Sequence, residues 1–119
     1  MDLRSPQEVF ENHLQLRLGT HDRVEEDIEK NFADNVIIRS NYGHFHGKDG
    51  VRKSAAILAR FLPCANYTYT EIRLVNNTAI LRWKGECEWT KVDDGYDLFT
   101  IKDGKIVEQV IFYTVVQKG

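Results

Sequence analysis

An isolated acidic residue stands at the start of an apolar stretch in the C-terminal part of the chain. Residues at alternate positions of a strand share a face, so Asp97, Phe99 and Ile101 would point to the same side. If that side encloses a cavity, burial disfavours the carboxylate, raises the pKa of Asp97 and makes it an acid or hydrogen-bond donor. The alternative is a solvated residue at a strand end, because Gly95 lies only two positions earlier. Asp97 is therefore a candidate catalytic acid.

His13 is the candidate general base. It lies at the edge of the apolar stripe of the first predicted helix, and an imidazole titrates near neutral pH. The alternative is a histidine that is hydrogen-bonded at the boundary between helix and sheet. His44 and His46 would share a face of an extended segment, but a zinc site needs at least a third ligand, and none follows at a recognisable spacing. No metal is therefore expected.

Aromatic residues recur at alternate positions of two predicted strands. Trp83 and Trp89 share a face with Cys87, where they would either line a cavity for a flat apolar ligand or pack in the core. Tyr67 and Tyr69 share a face with charged residues in the preceding strand, which suggests a solvated face or a dimer contact. Cys87 has no histidine or cation placed to activate it, so no nucleophilic role is expected.

The helices that would carry these residues lie mainly in the first half of the chain. Ser5, Pro6 and Glu8 form a capping box that starts the first helix, and Gly19 would end it. A second helix would begin at a cap on Asp22, continue to residue 32 and break at residues 34–35. A β-branched strand is predicted at 36–40, and a third helix from about residue 49 to Pro63.

From residue 66 onward the apolar pattern has a period of two, which is typical of strands. Strands are predicted at residues 67–75, 78–90, 96–101 and 105–116, with turns at 76–77 and 93–95. The dipeptide Asp103-Gly104 strongly favours a two-residue hairpin turn. Three helices cannot stack as separate layers on so few residues. The order therefore predicts an α+β domain, a cone-shaped barrel in which a curved antiparallel sheet wraps around three helices.

Composition narrows the classes of partner. The chain has 119 residues, which suits one domain over residues 1–119, and 42% of them are hydrophobic. A net charge of −2 without a basic cluster argues against nucleic acid or anionic membranes as partners. No apolar run approaches the roughly 20 residues of a membrane span, and no secretory signal is evident. Two cysteines do not form a disulfide framework, so reduced thiols and a cytoplasmic location are expected.

Three motifs together resemble one family. They are FADNV at residues 32–36, GKDGVR at 47–52 and DLFTIKDGKI at 97–106, in order along nearly the whole chain. This pattern is similar to the nuclear transport factor 2-like superfamily, in particular its SnoaL-like branch. The resemblance implies a cone with a deep pocket between the helices and the concave face of the sheet, often in a dimer. Members include ketosteroid isomerase, limonene epoxide hydrolase and polyketide cyclases, besides non-catalytic binding modules.

The resemblance carries over to this chain residue by residue. Ser40 stands where ketosteroid isomerase has its basic aspartate, and His13 or Leu14 is nearest to its tyrosine on the first helix. Asp97 matches its second pocket acid. Ile111 stands where the cyclases and the epoxide hydrolase have an aspartate. The frame and one acid are therefore kept, whereas the main bases are not.

The same resemblance turns one face of the last hairpin toward the pocket. Gln109, Ile111 and Tyr113 would then line it, where an amide and a phenol orient a carbonyl or hydroxyl group; the alternative is that neighbouring backbone satisfies them. The opposite face would carry an apolar patch on the convex side, formed by Tyr96, Leu98, Val110 and Phe112. Such patches usually mark interfaces, so a homodimer through the sheet is expected.

These observations leave three functions open. The first is a pocket protein that binds an apolar small molecule of unknown identity, with Ser40, Trp83, Phe99, Gln109, Ile111 and Tyr113 in the pocket. The second is an isomerase, dehydratase or hydrolase that acts on an apolar oxygenated molecule, with Asp97 as acid and His13 or Tyr113 assisting. The third is a dimeric interaction module whose cavity is filled by its own side chains. Because the sequence has neither a G-x-G-x-x-G nor a Walker loop, no nucleotide or flavin cofactor is expected.

Overall fold

The computed structural model describes residues 3–17, 23–63 and 65–119, and in that part of the chain three helices pack against a seven-stranded sheet. The helices are α1 (Pro6–Arg17), α2 (Val24–Asn31) and α3 (Gly47–Phe61). The strands are β1 (Phe32–Ser40), β2 (Gly43–His46), β3 (Asn66–Val75), β4 (Thr78–Glu86), β5 (Thr90–Lys102), β6 (Lys105–Phe112) and β7 (Val116–Gln117). The predicted α+β class is confirmed. None of the three helices in the described part of the chain has the length and apolar character that crossing a bilayer requires.

The capping box at the start of α1 is confirmed. The Glu8 amide donates to the Ser5 hydroxyl oxygen at 3.2 Å, and the Ser5 amide donates to a Glu8 carboxylate oxygen at 2.9 Å. This reciprocal pair satisfies two amides that the first turn leaves without helical partners. The predicted end of this helix at Gly19 and the cap at Asp22 lie outside the described residues.

The sheet runs in the order β2-β1-β6-β5-β4-β3, and β7 pairs with β5. Neighbours are antiparallel except β1 and β6, which are parallel, so the sheet is mixed rather than purely antiparallel. The sheet stays open between β2 and β3. Its long central strands form the curved face on which the helices lie.

Two predicted boundaries were wrong. The first strand begins at Phe32, not at residue 36, because Phe32 pairs with Ile106 of β6, and an irregularity before Ile37 takes up the intervening residues. The residues 93–95, predicted as a turn, lie inside β5. The chain reverses instead at residues 87–89, where the Cys87 amide donates to the Thr90 carbonyl at 3.0 Å.

The hairpin between β5 and β6 is confirmed at the predicted turn. Lys102 pairs with Lys105, and both turn residues have positive φ, 52° at Asp103 and 76° at Gly104. The two-residue hairpin turn whose twist matches that of the strands requires positive φ at both central positions. Asp-Gly adopts this conformation readily. The register that follows sets Asp97 opposite Ile111 and Phe99 opposite Gln109.

The core lies between the helices and the concave face of the sheet. Val9, Phe10 and Ile28 from the helices pack with Phe99 and Ile101 from β5, all almost completely buried. The Phe10 and Phe99 rings lie 5.6 Å apart. This layer fixes α1 and α2 over β5, and so places the polar side chains of both helices beside Asp97.

Candidate functional site

A pocket opens between α1, α3 and the concave face of strands β3 to β6. It contains about 490 Å³ of space free of atoms, part of its open mouth included. Its walls are formed by His13, Arg17, Leu58, Tyr67, Tyr69, Leu81, Trp83, Asp97, Gln109 and Ile111. Apolar and aromatic walls with a few converging polar groups are typical of small-molecule sites. The void lies against Asp97, which does not fit a cavity filled by its own side chains.

Asp97 is buried in this pocket, with 5% of its surface exposed. The Trp83 indole N–H donates to its Oδ1 at 2.7 Å, and the Gln109 amide donates to its Oδ2 at 2.9 Å. Burial raises the pKa of the Asp97 carboxyl above its ordinary value, although both hydrogen bonds act in the opposite direction. The site thus combines a fixed orientation of the Asp97 carboxyl group with a burial that disfavours its ionised form.

His13 lies on the helical wall of the same pocket and is bonded to a second buried acid. Its Nδ1 lies 3.0 Å from Oδ1 and 2.8 Å from Oδ2 of Asp27, and the Asp27 side chain is completely buried. The His13 ring also makes edge contacts with Phe99, at 4.9 Å between centroids, and with Phe32, at 5.7 Å. These contacts hold the plane of the imidazole ring, so that Nδ1 stays hydrogen-bonded to Asp27.

Hydrogen bonds behind Asp27 hold its carboxylate in place. The Asn31 amide donates to Asp27 Oδ1 at 2.8 Å and to Asn12 Oδ1 at 2.9 Å, and Arg4 donates to Asn31 Oδ1 at 2.8 Å. Burial alone would raise the pKa of Asp27, but His13, together with Arg17 and Asn31, outweighs that effect and lowers it below its ordinary value. Asp27 is therefore ionised at neutral pH and accepts, rather than donates, the bond to His13.

Arg17 lies one helical turn after His13 and also lines the pocket. Its Nη1 is 3.6 Å from Asp27 Oδ2, and 17% of its side chain is exposed. The Arg17 charge lowers the pKa of Asp97, Tyr67 and Tyr69, partly offsetting the effect of burial on each. Its guanidinium group is therefore within electrostatic reach of both the helical and the sheet walls.

Tyr67 and Tyr69 line the pocket, and their assignment to a solvated or dimer-forming face was wrong. An irregularity in β3 between Tyr69 and Glu71 inserts one residue, so that Tyr69 pairs with Trp83 whereas Glu71 pairs with Arg82. A bulge reverses the alternation of side chains beyond it. Burial raises the pKa of both tyrosines to about 12, so both hydroxyl groups stay protonated at neutral pH.

The remaining predicted pocket residues are buried outside the lining. The Ser40 hydroxyl accepts a hydrogen bond from the Tyr42 amide at 3.0 Å, at the turn between β1 and β2. Phe99 packs in the core against Phe10, below the floor of the pocket. The Tyr113 ring stacks behind the site, 5.7 Å from Trp83 and 5.0 Å from Tyr42. Trp83, Gln109, Ile111, Asp97 and His13 are the predicted residues that the fold brings together.

Trp89 does not share the face of Trp83, because β4 ends at Glu86 and Trp89 lies in the following turn with 72% of its surface exposed. His44 and His46 are both exposed on β2. Within residues 3–17, 23–63 and 65–119, no three histidine, cysteine or acidic side chains are grouped for a metal ion.

Three polar residues of the site were missed, although their spacing carries a signal. Asp27 and Asn31 follow Val24 at intervals of three and seven, so they occupy the same helical stripe as Ile28. Polar residues in an apolar stripe are buried with partners or placed for function. Arg17 follows His13 at an interval of four, which puts it on the same face of α1.

Similarity to known proteins agrees with this fold. The model of the SnoaL-like domain family matches residues 10–109. No curated protein matches the chain. Among solved structures, the chain is similar to a candidate isomerase of the SnoaL-like family from Agrobacterium tumefaciens, with a TM-score of 0.68 at 14% identity over 90% of this chain and 98% of the other.

A candidate SnoaL-like polyketide cyclase from Jannaschia sp. CCS1 has a TM-score of 0.71 at 15% identity, over 95% of this chain and 91% of that one. A de novo designed protein with a curved β-sheet has a TM-score of 0.74 at 16% identity, over 96% and 88% of the two chains. At such identities the structures share the fold alone, and a designed chain shares it as well. With 100 consecutive residues matching the family model, this chain belongs to the SnoaL-like domain family.

Proposed function

We propose that this protein binds a small oxygenated molecule in the pocket and transfers a proton on it, with His13 as base and Asp97 as acid. The observation that carries the proposal is the bond from His13 to both oxygens of the buried Asp27, while the same imidazole lines the pocket with Asp97. Two titratable groups in contrasting environments within one cleft are typical of an acid and base pair.

The bond to Asp27 determines which nitrogen acts as the base. An ionised carboxylate only accepts hydrogen bonds, so the Nδ1 atom of His13 carries the proton of the neutral ring. The lone pair is then on Nε2, which takes a proton from the substrate. The imidazolium that forms is stabilised by the negative charge of Asp27, as a histidine base requires.

Asp97 supplies the acid. In its protonated form it keeps acceptor positions for the Trp83 and Gln109 donors and has one O–H for the substrate. That O–H donates to a carbonyl oxygen as negative charge develops there, while His13 removes a proton from the adjacent carbon. Proton transfer next to a carbonyl group is the common step of an isomerase and of a dehydratase, the two reactions that this arrangement favours.

Exchange of α-protons tests the proposal without the natural substrate. Acetophenone, cyclohex-2-enone and 2-tetralone are incubated with the protein in D₂O, and loss of the α-proton signals is followed by NMR. We expect exchange above the buffer rate with at least one ketone, and a loss of about a hundredfold or more of that excess in His13→Gln and in Asp97→Asn. The matched control is His44→Gln, which changes an exposed histidine outside the pocket.

A second reading is binding without turnover, and the same experiment separates the two. If none of the ketones exchanges above the buffer rate although they shift NMR signals of Trp83, the pocket binds and does not catalyse. The ¹⁵N shifts of the His13 ring add an independent check, because a proton on Nε2 instead of Nδ1 would contradict the assigned base.

We also propose that two copies of the chain associate through the convex side of the sheet. The proposal is supported by the pairing of Tyr96 with Phe112 and of Leu98 with Val110 on that side, where Phe112 is 45% exposed. Ion pairs of both signs flank it, Arg39 with Glu108 at 3.1 Å on one side and Arg82 with Glu71 at 3.3 Å on the other. In a dimer with a two-fold axis, an acidic group beside the patch of one copy can pair with a basic group beside the patch of the other. This supports a second copy of the chain as the partner.

Sedimentation velocity at micromolar concentration tests this association. We expect a dimer for the wild type and a monomer for Phe112→Glu, because an unpaired carboxylate is costly to bury in an apolar interface. Trp89→Glu is the control, since Trp89 is exposed outside the patch. A wild type that sediments as a monomer overturns the proposal.

A further inference from the structure

Arg17 adds a permanent positive charge to the pocket wall. Among the described residues that line the pocket, it is the one arginine or lysine. A guanidinium group stays protonated at every physiological pH and presents several N–H donors in one plane. It lies at the C-terminal end of α1, one turn from His13 and within electrostatic reach of Tyr67 and Tyr69.

Asp27 does not use the hydrogen-bonding capacity of this guanidinium. Paired arginine and carboxylate groups typically form two parallel N–H···O bonds of about 2.7–2.9 Å. Here both Asp27 oxygens are within hydrogen-bond distance of His13, and one of them lies 3.6 Å from the nearest Arg17 nitrogen. That separation is an ion pair without a hydrogen bond, so the planar donor edge of Arg17 is not matched by Asp27.

The ionisable residues around Arg17 repel a bound anion less than they would if all of them were ionised. Burial raises the pKa of Asp97, which favours its neutral form, and both tyrosines keep their protons at neutral pH. The Asp27 charge lies behind His13 and does not line the pocket. Arg17 therefore shares the pocket wall with two protonated hydroxyl groups and with the Asp97 carboxyl, whose ionised form is disfavoured by burial.

We propose that the ligand of this pocket carries a carboxylate, which Arg17 binds beside Tyr67 and Tyr69. The ligand would lie with its carboxylate at Arg17 and its apolar body against Trp83, Leu81 and Ile111. A single guanidinium suits a carboxylate better than a phosphate, because phosphate sites usually gather several cations or the N–H groups of a helix N-terminus. The proposal gives the substrate class for the proposed proton transfer. Its statement about the reaction rests on that proposed function, whereas its statement about carboxylate binding does not.

A carboxylate, its neutral amide and a phosphate test which charged group the pocket requires. The probes are 3-benzoylpropionate, 3-benzoylpropionamide and phenyl phosphate, titrated by isothermal calorimetry at pH 7. We expect the carboxylate to bind at least about tenfold more tightly than the amide, because a hydrogen bond between two charged groups is stronger than one to a neutral amide. Equal affinity for carboxylate and amide overturns the proposal, and tighter binding of phenyl phosphate than of the carboxylate overturns the choice of anion.

Variants assign the effect to Arg17. Arg17→Met should remove the preference for the carboxylate over the amide, and Arg17→Lys should keep part of it, because lysine retains the charge without the planar donors. Arg73→Met is the matched control, since Arg73 lies exposed on the convex side and pairs with Glu71. If Arg17→Met does not fold, the wild-type ratio and its decline with added salt still decide the question.

The outcome is separable from that of the proposed proton transfer. The ketone of 3-benzoylpropionate has exchangeable α-protons, so one sample reports both binding and exchange. If the carboxylate binds through Arg17 but does not exchange, the proton transfer fails and the ligand class stands. If exchange is lost in His13→Gln but carboxylate and amide bind equally, the ligand class fails and the proton transfer stands.

Discussion

The Nδ1 atom of His13 lies within 3.0 Å of both carboxylate oxygens of Asp27, across the contact between α1 and α2. The pair joins two helices that also hold the pocket wall, so the orientation of the proposed base depends on how those helices pack. Asn31 donates to Asp27 and is itself bonded to Asn12 and Arg4, so the network extends from this contact toward the surface. The site is thus supported by a buried polar network rather than by loops.

Asp27→Asn should separate orientation from charge. The asparagine oxygen can still accept the bond from Nδ1, but it cannot neutralise the imidazolium, so α-proton exchange should fall by about a hundredfold or more. The measurement is the exchange rate of the best ketone by NMR. Asp34→Asn is the control, because Asp34 is exposed and pairs with Lys48 at the surface. Unchanged exchange in Asp27→Asn would contradict the assigned role.

The ionised Asp27 should also make stability depend on pH at the acid end. The pKa of Asp27 is lower in the folded protein than its ordinary value of 3.8, so its contribution is complete above that value. It is lost as the pH falls through the folded pKa. We expect the difference in free energy of unfolding between wild type and Asp27→Asn to shrink below about pH 4. Urea unfolding from pH 2 to pH 7 measures it, and a constant difference contradicts the assignment.

Asp97 should show the opposite dependence. Its folded pKa is raised, so its ionisation is penalised in the folded state, and stability is lost as the pH rises from 3.8 through the folded pKa. Asp97→Asn removes this loss, and the Gln109 amide can turn to accept a bond from the new amide. Relative to wild type, the variant should become more stable as the pH rises, by at most about 1.4 kcal/mol per pH unit. A difference that does not vary with pH would be incompatible with a raised pKa.

Gly95 lies directly opposite Trp83 in the strand pairing, and its missing side chain makes room for the indole. A Cβ at Gly95 would lie 2.2 Å from the Trp83 ring, so Gly95→Ala must displace the ring and break its bond to Asp97. We expect a loss of about 1–3 kcal/mol of stability and a change in Trp83 fluorescence, measured in a Trp89→Phe background. Gly85→Ala is the graded comparison, because its Cβ would meet a Leu62 methyl at 3.0 Å and the Tyr67 ring at 3.1 Å, both less close than the contact at Gly95. A larger effect of Gly85→Ala would contradict this account.

Local patterns predicted the sheet side of the site better than the helix side. Alternation put Asp97 and Phe99 on one face, the family resemblance turned that face inward, and the Asp103-Gly104 turn predicted their register against Gln109 and Ile111. The alternation and the turn both depend on residues close in sequence. The pairing of β1 with β6 joins residues some seventy positions apart, and nothing in the local pattern of either strand specifies it.

The helix side of the site was predicted only in part, because the inward stripe of each helix was identified from its apolar residues and its polar residues were passed over. Asp27 fell within an acidic run and was not singled out, although its spacing from Val24 placed it on the inward stripe. The two tyrosines were misplaced because one inserted residue in β3 reverses the alternation, and an insertion of this kind has no signature in the sequence.

The parallel pairing of β1 and β6 also sets a sequence of events during synthesis. Ser40 pairs with Ile111, so β1 is translated long before its partner on that side exists. Contacts between distant segments form late, because the intervening chain must first be brought together. The strand that completes this pairing also carries Gln109 and Ile111 to the pocket. A nascent chain therefore has neither a continuous sheet nor a complete pocket until β6 has left the ribosome. The pocket is completed in the same step that protects an otherwise exposed strand edge.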